Sequence, residues 1–170
     1  MQRKIICNLK SLILSEILKM ETALNINKTS RNVLAQFLDG YTLEQLNHIP
    51  QGFSNNLIWN IAHIVVVQQM LVYKLSGLQM MVPDEMVDKY KRGTRPETNV
   101  TQEEVDAVRA LLFTTIEKTR EDLSAAVFKN YQEFTTMSGF TIRNAADAMV
   151  FNNYHEGVHT GVMMGIRKFI

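Results

Sequence analysis

The sequence predicts an all-α protein built as a four-helix bundle. Three observations carry this expectation. Four stretches of about twenty residues or more repeat apolar side chains at three- and four-residue spacing, as helices buried along one face do. No pair of alternating strands and no βαβ rhythm is readable. Only 3 Pro and 8 Gly interrupt 170 residues, so regular structure has few breakers. Four such helices in a chain of one-domain length imply an antiparallel bundle. A long connection between the second and third helices leaves room for a crossover instead.

The first long helix is expected over residues 21–39, with Leu24, Val33, Leu34, Phe37 and Leu38 on its apolar face. Gly40 supplies a stop. A short helical turn follows at residues 42–47, opened by Thr42 with Gln45 three residues on, a capping-box pattern. Pro50 and Gly52 mark a loop. The second long helix, residues 55–76, is apolar on nearly every side and belongs at the centre. Its valine-rich part resembles a buried strand, but its length and the stop at Gly77 favour a helix. Residues 78–100 form the longest irregular stretch, with Pro83, Gly93 and Pro96. Lys89, Lys91, Arg92 and Arg95 surround Tyr90 there and read first as a solvated loop. A connection this long often covers a site. The third helix starts at a Thr101/Glu104 capping box and ends near residues 128–130. Thr141 is expected to cap the fourth helix, residues 142–168.

Residues 1–19 differ from the rest. Arg3, Lys4, Lys10 and Lys19 against Glu16 give this leader a net charge of +3, which leaves the remainder slightly acidic, since the whole chain carries +1. Its apolar run is broken by polar residues and followed by no small-residue cleavage site, so it is not read as a secretory signal. It is also far short of the ~18–20 apolar residues that span a membrane. Three readings stay open: a helical extension, a disordered leader, or non-native sequence upstream of a start at Met20. The expected division is therefore an extension over 1–19 and a single domain over 20–170. The sequence from Met20 resembles an ordinary cytoplasmic start, and a cytoplasmic location is expected.

The remaining composition narrows function. Apolar residues make up 46% and charged residues 21%, which argues against disorder. Eighteen Lys and Arg against 17 Asp and Glu leave no basic excess to neutralise phosphates, so no nucleic-acid partner is expected. Cys7 stands alone and can form neither an internal disulfide nor a thiolate cluster.

The informative residues are three of the four histidines. His155 and His159 lie about 40° apart and about 6 Å along one helix, on the face shared with Ala148, Phe151, Val162, Ile166 and Phe169. His63 shares its face of the second helix with Trp59, Val66, Val67 and Met70. Periodicity thus points three imidazoles into one interior, where unpaired they would be costly. Coordination of one metal ion by His63, His155 and His159 removes that cost. Each ring satisfied singly by a carbonyl or by Asn60 or Asn152 is the alternative. His48 follows the short turn and is given no role.

His155-Glu156-x-x-His159 also matches the H-E-x-x-H form of zinc proteases. The third ligand of those enzymes lies downstream, and no Asp, Glu or His follows His159 here. The protease reading is set aside, and the upstream His63 is preferred as third ligand.

Trp59-Asn60-Ile61-Ala62-His63-Ile64 on the second helix and His155-x-x-x-His159-Thr160-Gly161 on the last resemble the DinB/YfiT-like superfamily of four-helix bundle proteins. The likeness covers residues 20–170. It implies a divalent metal, zinc, nickel or iron, on the three histidines, and it implies a homodimer. One departure is Val162, where the family commonly has Gln. The family includes thiol-dependent S-transferases, so the resemblance implies a low-molecular-weight thiol cofactor and an electrophilic small-molecule substrate. A non-catalytic metal-binding or stress-related protein and a metal-dependent hydrolase are the alternatives. Three neutral ligands suit zinc, nickel, iron or copper and leave a coordination position open. The Met-rich segment of Met80, Met81 and Met86 is a candidate dimer face or part of the core.

Overall fold

The computed structural model describes the backbone of residues 2–170 and side chains from Met20 onward. The reading of the basic leader's side chains, Cys7 included, lies outside the described residues. The chain is all-α apart from one small hairpin. Helix α1 spans Gln2–Gly40, so the expected start at residue 21 falls inside a longer helix. Then come α2 (Leu43–Asn47), α3 (Leu57–Val72), α4 (Asp84–Tyr90), α5 (Gln102–Ser124), the strands β1 (Phe134–Thr135) and β2 (Thr141–Ile142), and α6 (Ala145–Ile166).

Local chemistry sets most boundaries. Thr42 and Thr101 form complete capping boxes with Gln45 and Glu104, as their spacing predicts. Helix α3 starts on Asn56, whose side chain accepts from the Trp59 N–H. It tightens after Tyr73 into a 3-10 turn, Lys74–Ser76, that stops at Gly77 with φ +69°. Two further boundaries differ markedly from expectation. Thr141 is not a cap, because Thr141 and Ile142 pair antiparallel with Thr135 and Phe134, which buries Ile142 completely. Asn144 caps α6 instead, accepting from the Asp147 N–H at 2.8 Å. Helix α5 ends at Ser124 rather than near residues 128–130.

The expected irregular stretch at 78–100 contains α4. The acidic Asp84 and Glu85 in its first turn and Lys89 in its last complement the helix dipole. Val87 and Tyr90, three residues apart, bury one face. Met80 and Met86 pack against the protein's own core, while Met81 is 36% exposed. Asn47 anchors the far end of the stretch. Its amide donates to the Val100 carbonyl at 3.1 Å and accepts from the Val100 N–H at 2.8 Å.

Helix α3 is central. It lies along α6, against α5 and beneath α4, while α1 packs on α5 and α6. The stretch Leu57–Ser76 is long and apolar enough to cross a membrane, yet it is mostly buried inside the protein, as a core helix is. Within α3 only Val67 and Met70 escape full burial. Both line a cavity that His63 and His155 also line.

Candidate metal centre

The structure brings His63, His155 and His159 together: one candidate ligand atom from each lies within 4.8 Å of the others. The rings sit 4.6–5.2 Å apart, centre to centre. His63 comes from the buried middle of α3, and His155 and His159 from successive turns of α6, the helix that α3 packs along. His48 is exposed and lies outside the group.

Each ring is held differently. The indole of Trp59, one turn earlier on α3, stacks on His63 at 4.6 Å with planes 12° apart. His63 Nδ1–H donates to the Tyr90 carbonyl at 2.6 Å, at the end of α4. His159 Nδ1–H donates to Asn60 Oδ1 at 2.8 Å. Those two bonds fix the tautomers, so the Nε2 lone pairs of His63 and His159 are free to coordinate. His155 Nδ1 is buried and has no hydrogen-bond partner among the described residues. Such an orphan is expensive in an apolar surround, and a cation among the rings relieves that cost.

The electrostatics agree. Burial lowers the pKa of His63, and its bond to Tyr90 only partly opposes this. Burial, then the neighbouring His159 and His63 and the Arg31 cation, push His155 down to about 3. Burial and His63 bring His159 to about 4. All three rings are therefore neutral at physiological pH, the form that binds metal. The donor set fits a divalent ion.

Glu156, beside His155, turns to other work. It is fully buried, and its Oε1 accepts from Asn27 Nδ2 at 2.8 Å, Arg31 Nε at 2.9 Å and Asn152 Nδ2 at 2.8 Å. Arg31, also fully buried, completes an ion pair with it at 2.8 Å. A carboxylate tied into such a network is a structural counter-ion, which removes the general base that a zinc-protease reading needs. The sequence carried a signal for this network. Asn27 and Arg31 occupy the three- and four-residue rhythm of Leu24, Leu34 and Leu38, so they interrupt an otherwise apolar stripe.

The apolar stripe expected around His155 is only partly interior. Ala148 and Ile166 are buried, but Val162 is 38% exposed and Phe169 lies beyond the end of α6, 63% exposed. Phe151 faces the cavity instead. That cavity, about 350 Å³, opens beside His63 and His155. Val67, Met70, Phe134, Met137, Phe151 and Val158 form its apolar walls.

Fold and site together define an all-α protein with three clustered neutral imidazoles, two of which, His63 and His155, line an apolar pocket. The family model for the DinB superfamily matches residues 27–163, and the chain belongs to that superfamily. A comparison with curated proteins finds no match. The three-histidine group is compatible with metal binding.

Proposed function

We propose that His63, His155 and His159 hold one divalent metal ion, and that the protein is a metal-dependent enzyme joining a low-molecular-weight thiol to an electrophilic small molecule. The observation that carries this reading is the convergence of three uncharged imidazoles, two of which, His63 and His155, line an open, apolar cavity. A bound ion supplies a positive charge that favours thiolate over thiol, and the thiolate is the nucleophile. The residues of the chain do the rest. The Tyr90 carbonyl and Asn60 hold two of the rings in coordinating tautomers. The apolar walls keep water from competing for the electrophile. Zinc, nickel and iron all suit three imidazoles. A homodimer, a cytoplasmic location and an antiparallel arrangement of the four long helices complete the proposal, supported by membership of the superfamily.

Metal analysis of the purified protein is the first test, with about one ion per chain expected in the wild type and none in His63→Ala. Lack of stoichiometric metal after reconstitution overturns the reading. A screen of small thiols with a chromogenic electrophile then separates the alternatives. Turnover only with thiol supports the transferase. Thiol-independent hydrolysis identifies a hydrolase instead, and bound metal without any turnover identifies a non-catalytic metal protein.

A further inference from the structure

The four basic residues around Tyr90 do not share one environment. Lys89 pairs with Glu104, and Lys91 pairs with Asp88 at 2.7 Å. Arg95 lines a separate groove with Ile49 and Phe53. Arg92 is solvent-exposed and lines the histidine cavity, and it has no ion pair or hydrogen bond among the described residues.

The turn that carries Arg92 is held in place. The Thr94 hydroxyl lies 2.9 Å from the Lys89 carbonyl and 2.8 Å from that of Lys91. The same hydroxyl accepts from the Trp59 indole N–H at 3.2 Å, and that indole stacks on His63. Gly93, at φ +92°, permits the reversal. One short segment therefore presents its Tyr90 carbonyl to His63 and its Arg92 side chain to the cavity.

Among the described residues the lining of the cavity contains no Asp or Glu, and apart from the histidines Arg92 is its single ionisable cation. Its walls are mostly aromatic and aliphatic, with the hydroxyls of Thr136, Ser138 and Tyr154 as minor polar points. A planar guanidinium without a partner matches a carboxylate fork to fork. A volume of about 350 Å³ sits at the small end of ligand sites.

We propose that this cavity binds a small molecule with an apolar body and a carboxylate, and that Arg92 determines the preference for the anion. The proposal rests on the functional reading above only in taking the cavity as the substrate chamber. Binding itself is measurable without metal, so the two fail separately.

The test uses the full chain, stripped of metal, with 2-naphthoate and its neutral counterpart 2-naphthamide, titrated by calorimetry. Wild type is expected to favour the carboxylate by about tenfold, the scale of one charge-assisted hydrogen bond in a partly wet site. Raising the salt should shrink the preference. Arg92→Gln should abolish it while retaining amide binding, and Arg95→Gln should leave it intact. Equal affinity for the two probes in wild type overturns the proposal. So does a preference that survives Arg92→Gln, or one that Arg95→Gln removes equally. Failure of both probes to bind overturns the cavity assignment itself.

Discussion

Asn60 and His159 are 99 residues apart in sequence, and their side chains meet at 2.8 Å, Asn60 Oδ1 accepting from His159 Nδ1–H. Asn60 lies one helical turn before His63, so a single face of α3 provides one candidate ligand and the group that orients another. Its own amide is held by the Asn56 carbonyl at 2.7 Å, which fixes which way the acceptor points. Asn60→Ala should therefore weaken metal binding by ~10–100-fold, the usual loss when a ligand's supporting partner is removed. Asn60→Asp, which keeps an acceptor toward His159, should recover part of it. Competition against a chelator of known affinity gives the numbers. Unchanged affinity in Asn60→Ala would show that His159 is oriented by packing alone.

The Arg31–Glu156 pair has no solvent to fall back on, since both side chains are fully buried. Arg31→Met leaves a buried carboxylate held only by two asparagine amides and should cost about 3–5 kcal/mol. Glu156→Leu strands the guanidinium and should cost a similar amount. The double variant, with neither charge left, should lose much less than the two single losses together. Urea unfolding of the four proteins closes the cycle. Additive losses would mean that the pair contributes by shape and not by charge.

Acid should destabilise the metal-free protein through its histidines. His155 and His159 titrate near 3 and 4 when folded against an ordinary 6.5, so below about pH 6.5 the unfolded chain takes up protons that the folded one refuses. Stability is complete above that ordinary value and falls with pH until the folded values are reached. At pH 5 each ring is expected to cost roughly 2 kcal/mol. Melting temperatures recorded from pH 7.5 to 4.5 should fall, and His155→Gln should flatten the slope. Because the folded rings are uncharged at neutral pH and keep the Nδ1–H of His63 and His159 in hydrogen bonds, metal binding there should displace no proton from these rings, which calorimetry in buffers of different ionisation enthalpy can measure.

The parts of this protein visible in its sequence are those governed by one helix at a time. The rhythm of α3, the capping boxes at Thr42 and Thr101, and the shared face of His155 and His159 all follow from spacing. The convergence of His63 on that pair needed only the assumption that apolar stripes face each other. The buried network escaped because Asn27, Arg31 and Glu156 acquire meaning only when α1 meets α6, more than a hundred residues apart. Helix α4 escaped because seven residues give barely two turns of periodicity. The end of α5 escaped for a simpler reason: no glycine marks it.

That end is a stop built on alanine. Val127 N–H donates to the Asp122 carbonyl at 2.9 Å and Ala126 N–H to that of Leu123 at 3.1 Å, the paired bonds of a Schellman motif. The motif requires a left-handed residue, and Ala126 supplies it at φ +51°, the lone non-glycine with positive φ among the described residues. A Cβ in that conformation costs roughly 1–2 kcal/mol. Ala126→Gly relieves this strain, while the looser unfolded chain takes back part of the gain. The expected balance is a stabilisation of about 0.5–1 kcal/mol, read as a higher urea midpoint at an unchanged slope. Metal affinity should not move, because the turn lies outside the histidine cavity and shares none of its lining residues. A lower midpoint would mean that the alanine methyl contributes more by packing than it loses in backbone strain.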